Sequence, residues 1–222
     1  MMNKNLLTLA SAALALSLVA CADNTPTPAA GLTDTPATAS ATQTAAPADA
    51  FLTALASHCG QAFAGRIVAN EPVTGQPDAF EGKALVMHVR GCDKPAEELR
   101  VPFHVGDDHS RTWVLTRLPE GLRLKHDHRH ADGSEDVQTM YGGDSVAAGT
   151  AIRQEFPVDT FSIELFEREG LQQSTRNTWA MEIEPGKRFL YELSRPNGRL
   201  FQVEFDLTQP VTLPPAPWGA QD

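Results

Sequence analysis

The chain has 222 residues, with 28 acidic against 18 basic side chains, a formal net charge of −10 and 41% apolar residues. An acidic balance of this size argues against a nucleic-acid partner and against a polybasic membrane patch, because both require clustered lysine and arginine. The length suffices for one domain with a substantial core.

The first stretch, "MMNKNLLTLASAALALSLVAC", reads as an export signal. Lys4 supplies a positive start, and Leu6 to Val19 is apolar but too short to span a bilayer comfortably. Residues 1–20 are therefore expected to be removed. That would take away Lys4 and no acid, leaving 17 basic against 28 acidic residues. The run Leu18-Val19-Ala20-Cys21 resembles the lipobox of bacterial lipoproteins. The resemblance implies lipidation at Cys21. With alanine rather than aspartate at position 22, it also implies anchoring in the bacterial outer membrane, the domain facing the periplasm or the cell surface.

Residues 21–48 are mostly alanine, threonine and proline, and they lack the large apolar side chains needed to offset ordering entropy. They are expected to form a disordered tether, with the folded domain over 49–208 and a flexible proline-rich tail over 209–222. Two cysteines remain, Cys59 and Cys92. An oxidising compartment predicts a disulfide between them.

In the domain, Phe51, Leu52, Leu55 and Ala56 fall at helical spacing and Gly60 can end the helix. After Gly65 the pattern changes to strand alternation. Candidates are "KALVMHVR", "ELRVPFHV", "RTWVLTRL", "LRLKHDHRH", "EDVQTMYG", "GTAIRQEF", "RNTWAMEIE", "RFLYELSR" and "RLFQVEFDL". Glycine, proline and aspartate turns separate them. The segment "PVDTFSIELFEREGL" carries helix-start signals at Pro157 and Asp159, although Phe161, Ile163 and Leu165 also fit a strand. About ten short strands with hairpin connections predict a mainly β fold: an antiparallel up-and-down barrel, lipocalin-like, with one or two short helices. A cupin-like jelly roll is the alternative.

The most informative stretch is "GLRLKHDHRHADGSED". Leu122, Leu124, His126, His128 and His130 share one face of a strand; Arg123, Lys125, Asp127 and Arg129 share the other. The histidines thus continue an apolar face. Asp132-Gly133 favours a two-residue turn. That register sets Glu135 opposite His130, Val137 opposite His128, Thr139 opposite His126 and Tyr141 opposite Leu124, all facing inward. Asp136, Gln138 and Met140 are then expected outside, and "GDDHS", with Asp107, Asp108 and His109, close to the same end of the sheet. The predicted ligand-binding face is His126, His128, His130, Glu135, Thr139 and Tyr141.

His-x-His followed after a turn by Glu135 and then Gly142 resembles the first cupin motif. It implies a divalent metal held by His128, His130 and Glu135, with Zn–N distances of about 2.0–2.1 Å. The second cupin motif, with its further histidine, is not visible: the candidate "RPNGRLF" has Phe201 where a ligand would be needed. The block from "HCGQAFAGR" onward is similar to secreted bacterial proteins of uncharacterised activity. No nucleophile elbow, phosphate loop or zinc-protease motif is present. Three functions stay open: a lipid-anchored barrel binding a small molecule in a His-lined pocket, a metal-dependent cupin-like enzyme, and an envelope interaction protein without a ligand.

Overall fold

A computed structural model describes residues 45–73 and 78–220. Cys21, the preceding signal-like stretch and most of the expected tether lie outside the described residues. The elements in chain order are α1 (Pro47–Ala56), β1 (Ala62–Glu71), β2 (Leu85–His88), β3 (Glu98–Val105), β4 (Asp108–Leu118), β5 (Gly121–His128), β6 (Tyr141–Asp144) and β7 (Arg153–Pro157). They continue with α2 (Thr160–Arg168), a 3-10 turn (Gln172–Arg176), β8 (Thr178–Glu184), β9 (Arg188–Ser194) and β10 (Leu200–Val211).

All ten strands form one antiparallel sheet in the order β6-β5-β4-β3-β2-β1-β10-β9-β8-β7. Consecutive strands pair with each other except β6 and β7, which are the two edges of the sheet, and β1 pairs with β10. This is an up-and-down barrel, nearly closed. A jelly roll needs long crossovers between sheets, and none is present among the described residues. The seam lies between β6 and β7, where Asp159 N–H donates to Gly142 O at 2.9 Å and Gly142 N–H donates to Ser162 Oγ at 2.7 Å. The backbones pass so closely that a Cβ at Gly143 would run into Pro157 O. Glycine at that position is what lets the seam approach closure.

The inner face follows the alternation in the sequence. Met87, Leu99, Val101, Phe103, Trp113 and Leu115 are essentially inaccessible, as are Phe189, Val203 and Phe205. Ten strands enclose a lumen wider than eight do, and aromatic rings fill it. Trp113 stacks between Phe103 (4.9 Å) and Tyr191 (4.5 Å), while Phe205 meets both Phe103 and Trp113 edge-on. One end is plugged by α1, which buries Phe51, Leu52 and Leu55. Asp49 pairs there with Arg117 at the end of β4, and His58 Nε2 accepts Gly186 N–H from the β8–β9 turn at 3.2 Å. The expected disulfide is present, with the Cα atoms of Cys59 and Cys92 6.2 Å apart.

Residues 157–171, compatible with either a helix or a strand by sequence, form helix α2. The Asp159 side chain caps it by accepting Ser162 N–H at 2.8 Å. Ser162, Leu165 and Phe166 are buried at helical spacing, whereas Phe161 is left exposed. The strand expected over 135–142 shrinks to Tyr141–Asp144. At the other end of the chain, β10 runs to Val211 and pairs with the start of β1, beyond the expected boundary at 208. Pro217 to Ala220 then lie against the outer surface of β3–β5: Trp218 N–H donates to His109 O at 3.0 Å.

That outer surface carries a second set of histidines. Between the pairs Phe103↔Arg111 and Val105↔Asp108, one residue of β3 opposes two of β4. This bulge turns His109 outward. Its Nδ1 lies 2.8 Å from His104 Nδ1, and its ring meets Trp218 edge-on. His104 and His88 are buried, and His104 Nε2 and His88 Nδ1 find no hydrogen-bond partner among the described residues. Burial first, and the neighbouring His109 and His88 second, hold His104 down to about 4.

Candidate functional site

The face assignment on β5 is reproduced by burial. Leu122, Leu124 and His126 are buried within the barrel, and Arg123 and Lys125 face out. Asp127 is also on the outer face, covered by ion pairs to Arg129 at 2.8 Å and Arg100 at 3.5 Å.

His126 is 4% exposed and fully hydrogen-bonded. Its Nδ1 lies 3.2 Å from Tyr141 O and its Nε2 lies 2.9 Å from Tyr191 Oη. A carbonyl only accepts, so the proton sits on Nδ1 and Nε2 accepts the Tyr191 hydroxyl proton. The Tyr141 ring stacks on His126 at 4.6 Å, and Trp179 packs at 5.1 Å. His128 is half-buried, with Nε2 3.3 Å from Tyr141 Oη. Its backbone N–H donates to Thr139 Oγ1 at 2.8 Å.

Burial sets the protonation of this group. It pushes His126 down to about 3, aided by the nearby His128. It pushes His128 down to about 4, aided by Arg111. Burial likewise pushes Tyr141 up to about 12 and raises Tyr191 well above the ordinary phenol value. At neutral pH all four are therefore uncharged, a stacked and hydrogen-bonded set rather than an acid–base pair poised near pH 7.

The rest of the predicted face is not gathered. The Asp132 side chain accepts both the backbone N–H (2.9 Å) and the hydroxyl (2.6 Å) of Ser134, forming an Asx turn. The resulting register sets Glu135 opposite Arg129 instead of His130. A one-residue shift transfers a side chain to the other face. Glu135 is accordingly exposed, 3.1 Å from Arg129 Nη2. His130 is exposed beyond the end of β5, 3.8 Å from Asp136. Val137 is also exposed. The chain rejoins the sheet with Tyr141 opposite His126, two residues away from the expected pairing with Leu124. His128, His130 and Glu135 thus do not form the cupin-like chelate. Among the described residues no three His, Cys, Asp or Glu side chains are placed to hold a metal. Asp108 pairs with Arg111, and His109 lies on the outer face with His104.

What lies at the open end is a cavity of about 220 Å³. Its walls include Phe80, Tyr141, Phe166, Trp179, Tyr191 and Phe201, with Gln138, Asn177 and Arg195 among the polar groups. Of the six predicted ligand residues only Tyr141 borders it. His126 and His128 stand behind, fixing the hydroxyl of Tyr191 and packing against Tyr141. The pocket is therefore aromatic-lined, not His-lined. Phe201 shares the clear alternation of β10, and Trp179 and Tyr191 lie on strands legible in the sequence. Their convergence depends on strand pairing across the whole barrel. Arg195 comes from the turn "RPNG", where the sequence drew attention to Phe201 as a missing cupin ligand and not to the arginine.

A larger groove of about 500 Å³ lies outside the barrel beneath Pro217 to Ala220. One of its two carboxylates, Asp127, is already paired with Arg100 and Arg129. The aromatic mouth is the better candidate.

Comparison with protein-family models, with curated proteins and with solved structures finds no match to this chain. The class of the protein rests on its geometry alone: a ten-stranded up-and-down barrel, plugged at one end and holding an aromatic cavity at the other.

Proposed function

We propose that the protein is an exported, lipid-anchored binding protein that holds a small, largely apolar molecule in the mouth of its barrel. The observation that carries this reading is the ring-walled cavity at the one end α1 does not plug. Ligand pockets are mostly apolar concavities with a few placed polar groups, commonly at barrel mouths. This cavity falls below the roughly 300–1,000 Å³ of typical drug-sized sites, so the ligand is small. A metal-dependent reaction gains no support, since the proposed chelating side chains are dispersed and the buried histidines are neutral and held by tyrosines. The run Leu18-Val19-Ala20-Cys21 supports lipidation at Cys21, with the outer membrane as the anchoring surface.

A cavity-filling substitution tests the site. Leu193 is half-buried on the cavity wall. Wild-type protein is expected to bind a neutral probe, 2-phenylethanol, saturably, and Leu193→Trp is expected to lose that binding while keeping its circular dichroism spectrum. Equal binding by a folded Leu193→Trp, or no saturable binding by the wild type, refutes the site.

A further inference from the structure

The polar side of the mouth has an unbalanced charge. Arg195 borders the cavity and is half-buried. Its Nε donates to Asn177 Oδ1 at 2.6 Å, Nη1 to Gln173 Oε1 at 3.3 Å and Nη2 to Ser174 Oγ at 3.4 Å. All three acceptors are neutral, and the last two contacts are long for N–H···O bonds. Most arginines of this protein behave differently. Arg117 pairs with Asp49, Arg123 with Asp144, and Arg153 with Glu155, Glu182 and Glu192. Among the described residues no carboxylate approaches Arg195 within ion-pair distance. The neighbouring cation, Arg199, is committed to Asp78 at 3.6 Å. Burial and the charge of Arg199 both make the Arg195 cation less favourable than it is in water.

A guanidinium has five N–H donors, and three are engaged here. Each terminal nitrogen therefore keeps one N–H for a carboxylate oxygen, and a hydrogen bond to a charged group is stronger than the neutral contacts already made. Nothing else among the cavity's lining residues carries a formal charge. The site thus combines one cation with flat aromatic walls in a small volume. It matches a monoanion with a short apolar body, and it does not match a phosphate dianion, which would need further cationic donors.

We propose that the mouth selects small monocarboxylates of the arylalkanoate kind, with the carboxylate on Arg195 and the ring among Phe166, Trp179 and Phe201. This rests on the mouth being the ligand site, and the test separates the two claims by pairing an acid with a neutral isostere. Phenylacetate and 2-phenylethanol are titrated into wild-type, Arg195→Gln and Arg195→Lys proteins by calorimetry, with fold checked by circular dichroism. Wild type is expected to prefer phenylacetate by about 10-fold or more, the worth of a charge-assisted hydrogen-bond pair. Arg195→Gln is expected to abolish that preference while keeping 2-phenylethanol binding, and Arg195→Lys to retain part of it. Equal affinity of the wild type for the two probes, or an acid preference that survives in Arg195→Gln, overturns the carboxylate assignment and leaves the mouth as a neutral-ligand site. Failure of 2-phenylethanol to bind the wild type overturns both claims. If Arg195→Gln proves unfolded, phenylacetamide with wild-type protein decides the question. It keeps the ring but not the charge, and binding as tight as that of phenylacetate refutes the assignment.

Discussion

Mild acid should destabilise this protein in a pH range where exposed carboxylates remain ionised. His126 and His104 are buried and held neutral, at about 3 and about 4, chiefly by desolvation. In the unfolded chain each titrates near 6.5. Both folded values are depressed for a base, so the unfolded state binds more protons as the pH falls below 6.5 and stability falls with it. Each histidine costs about 1.4 kcal/mol for every pH unit below 6.5, which makes about 2.5 kcal/mol by pH 4.5 and about 5 kcal/mol for the two together. His128, held at about 4 and half-buried, acts in the same direction. Asp108 contributes nothing in this window. Although burial opposes it, hydrogen bonds from Ser110 and Arg111 hold its carboxyl at about 2, so its stabilising effect fades only below about pH 4. A loss of this size is a large part of the ~5–15 kcal/mol typical of a domain. Urea unfolding followed by tryptophan fluorescence at a series of pH values reads it directly. The unfolding free energy should drop by about 5 kcal/mol or more between pH 7 and 4.5, and His104→Gln and His126→Gln should each lower the slope by about one proton. A free energy constant to within about 1 kcal/mol across that range refutes the assignment of these histidines as buried and neutral.

Other perturbations have defined outcomes. Gly143→Ala places a Cβ against Pro157 O at the seam and should cost about 1–3 kcal/mol or open the β6–β7 edge, read by hydrogen exchange at Gly142 and Asp159. Tyr191→Phe leaves His126 Nε2 without its donor and should cost about 1–3 kcal/mol, more than Tyr191→Phe costs in a His126→Leu background. Replacing both Cys59 and Cys92 with alanine removes a cross-link spanning 33 residues. The chain-entropy account predicts a loss of about 3–4 kcal/mol in urea unfolding. Cys21→Ser should move the exported protein from the membrane to the soluble fraction, and unchanged membrane retention would refute the lipid anchor.

The barrel was legible because its strands advertise their faces. Leu122, Leu124 and His126 alternate with Arg123, Lys125 and Asp127, and burial follows that alternation directly. Phe201, Val203 and Phe205 do the same on β10. The loop after β5 was not legible, because Asp132-Gly133 admits both a two-residue hairpin and an Asx turn held by Ser134. Only the second forms, and one residue of register separated Glu135 from the histidines. The bulge that turns His109 outward has no marker in "GDDHSRTW" either, since the alternation there favours one face throughout. The cavity was hidden for a different reason. Tyr141, Trp179, Tyr191 and Phe201 come from four strands, and they meet only because the sheet curls until it is nearly closed and brings these strands round to the mouth.

Three tryptophans occupy three distinct places, which makes indole NMR the most direct test of where a ligand sits. Trp179 borders the mouth, Trp113 lies beneath Tyr191 in the lumen, and Trp218 packs on the outer surface beside His109. Titration of 2-phenylethanol into ¹⁵N-labelled protein should shift the Trp179 Nε1–H resonance saturably, with Trp218 unmoved. A saturable shift of Trp218 with Trp179 unmoved would place binding under the C-terminal segment and contradict the account, and so would three indoles that never move.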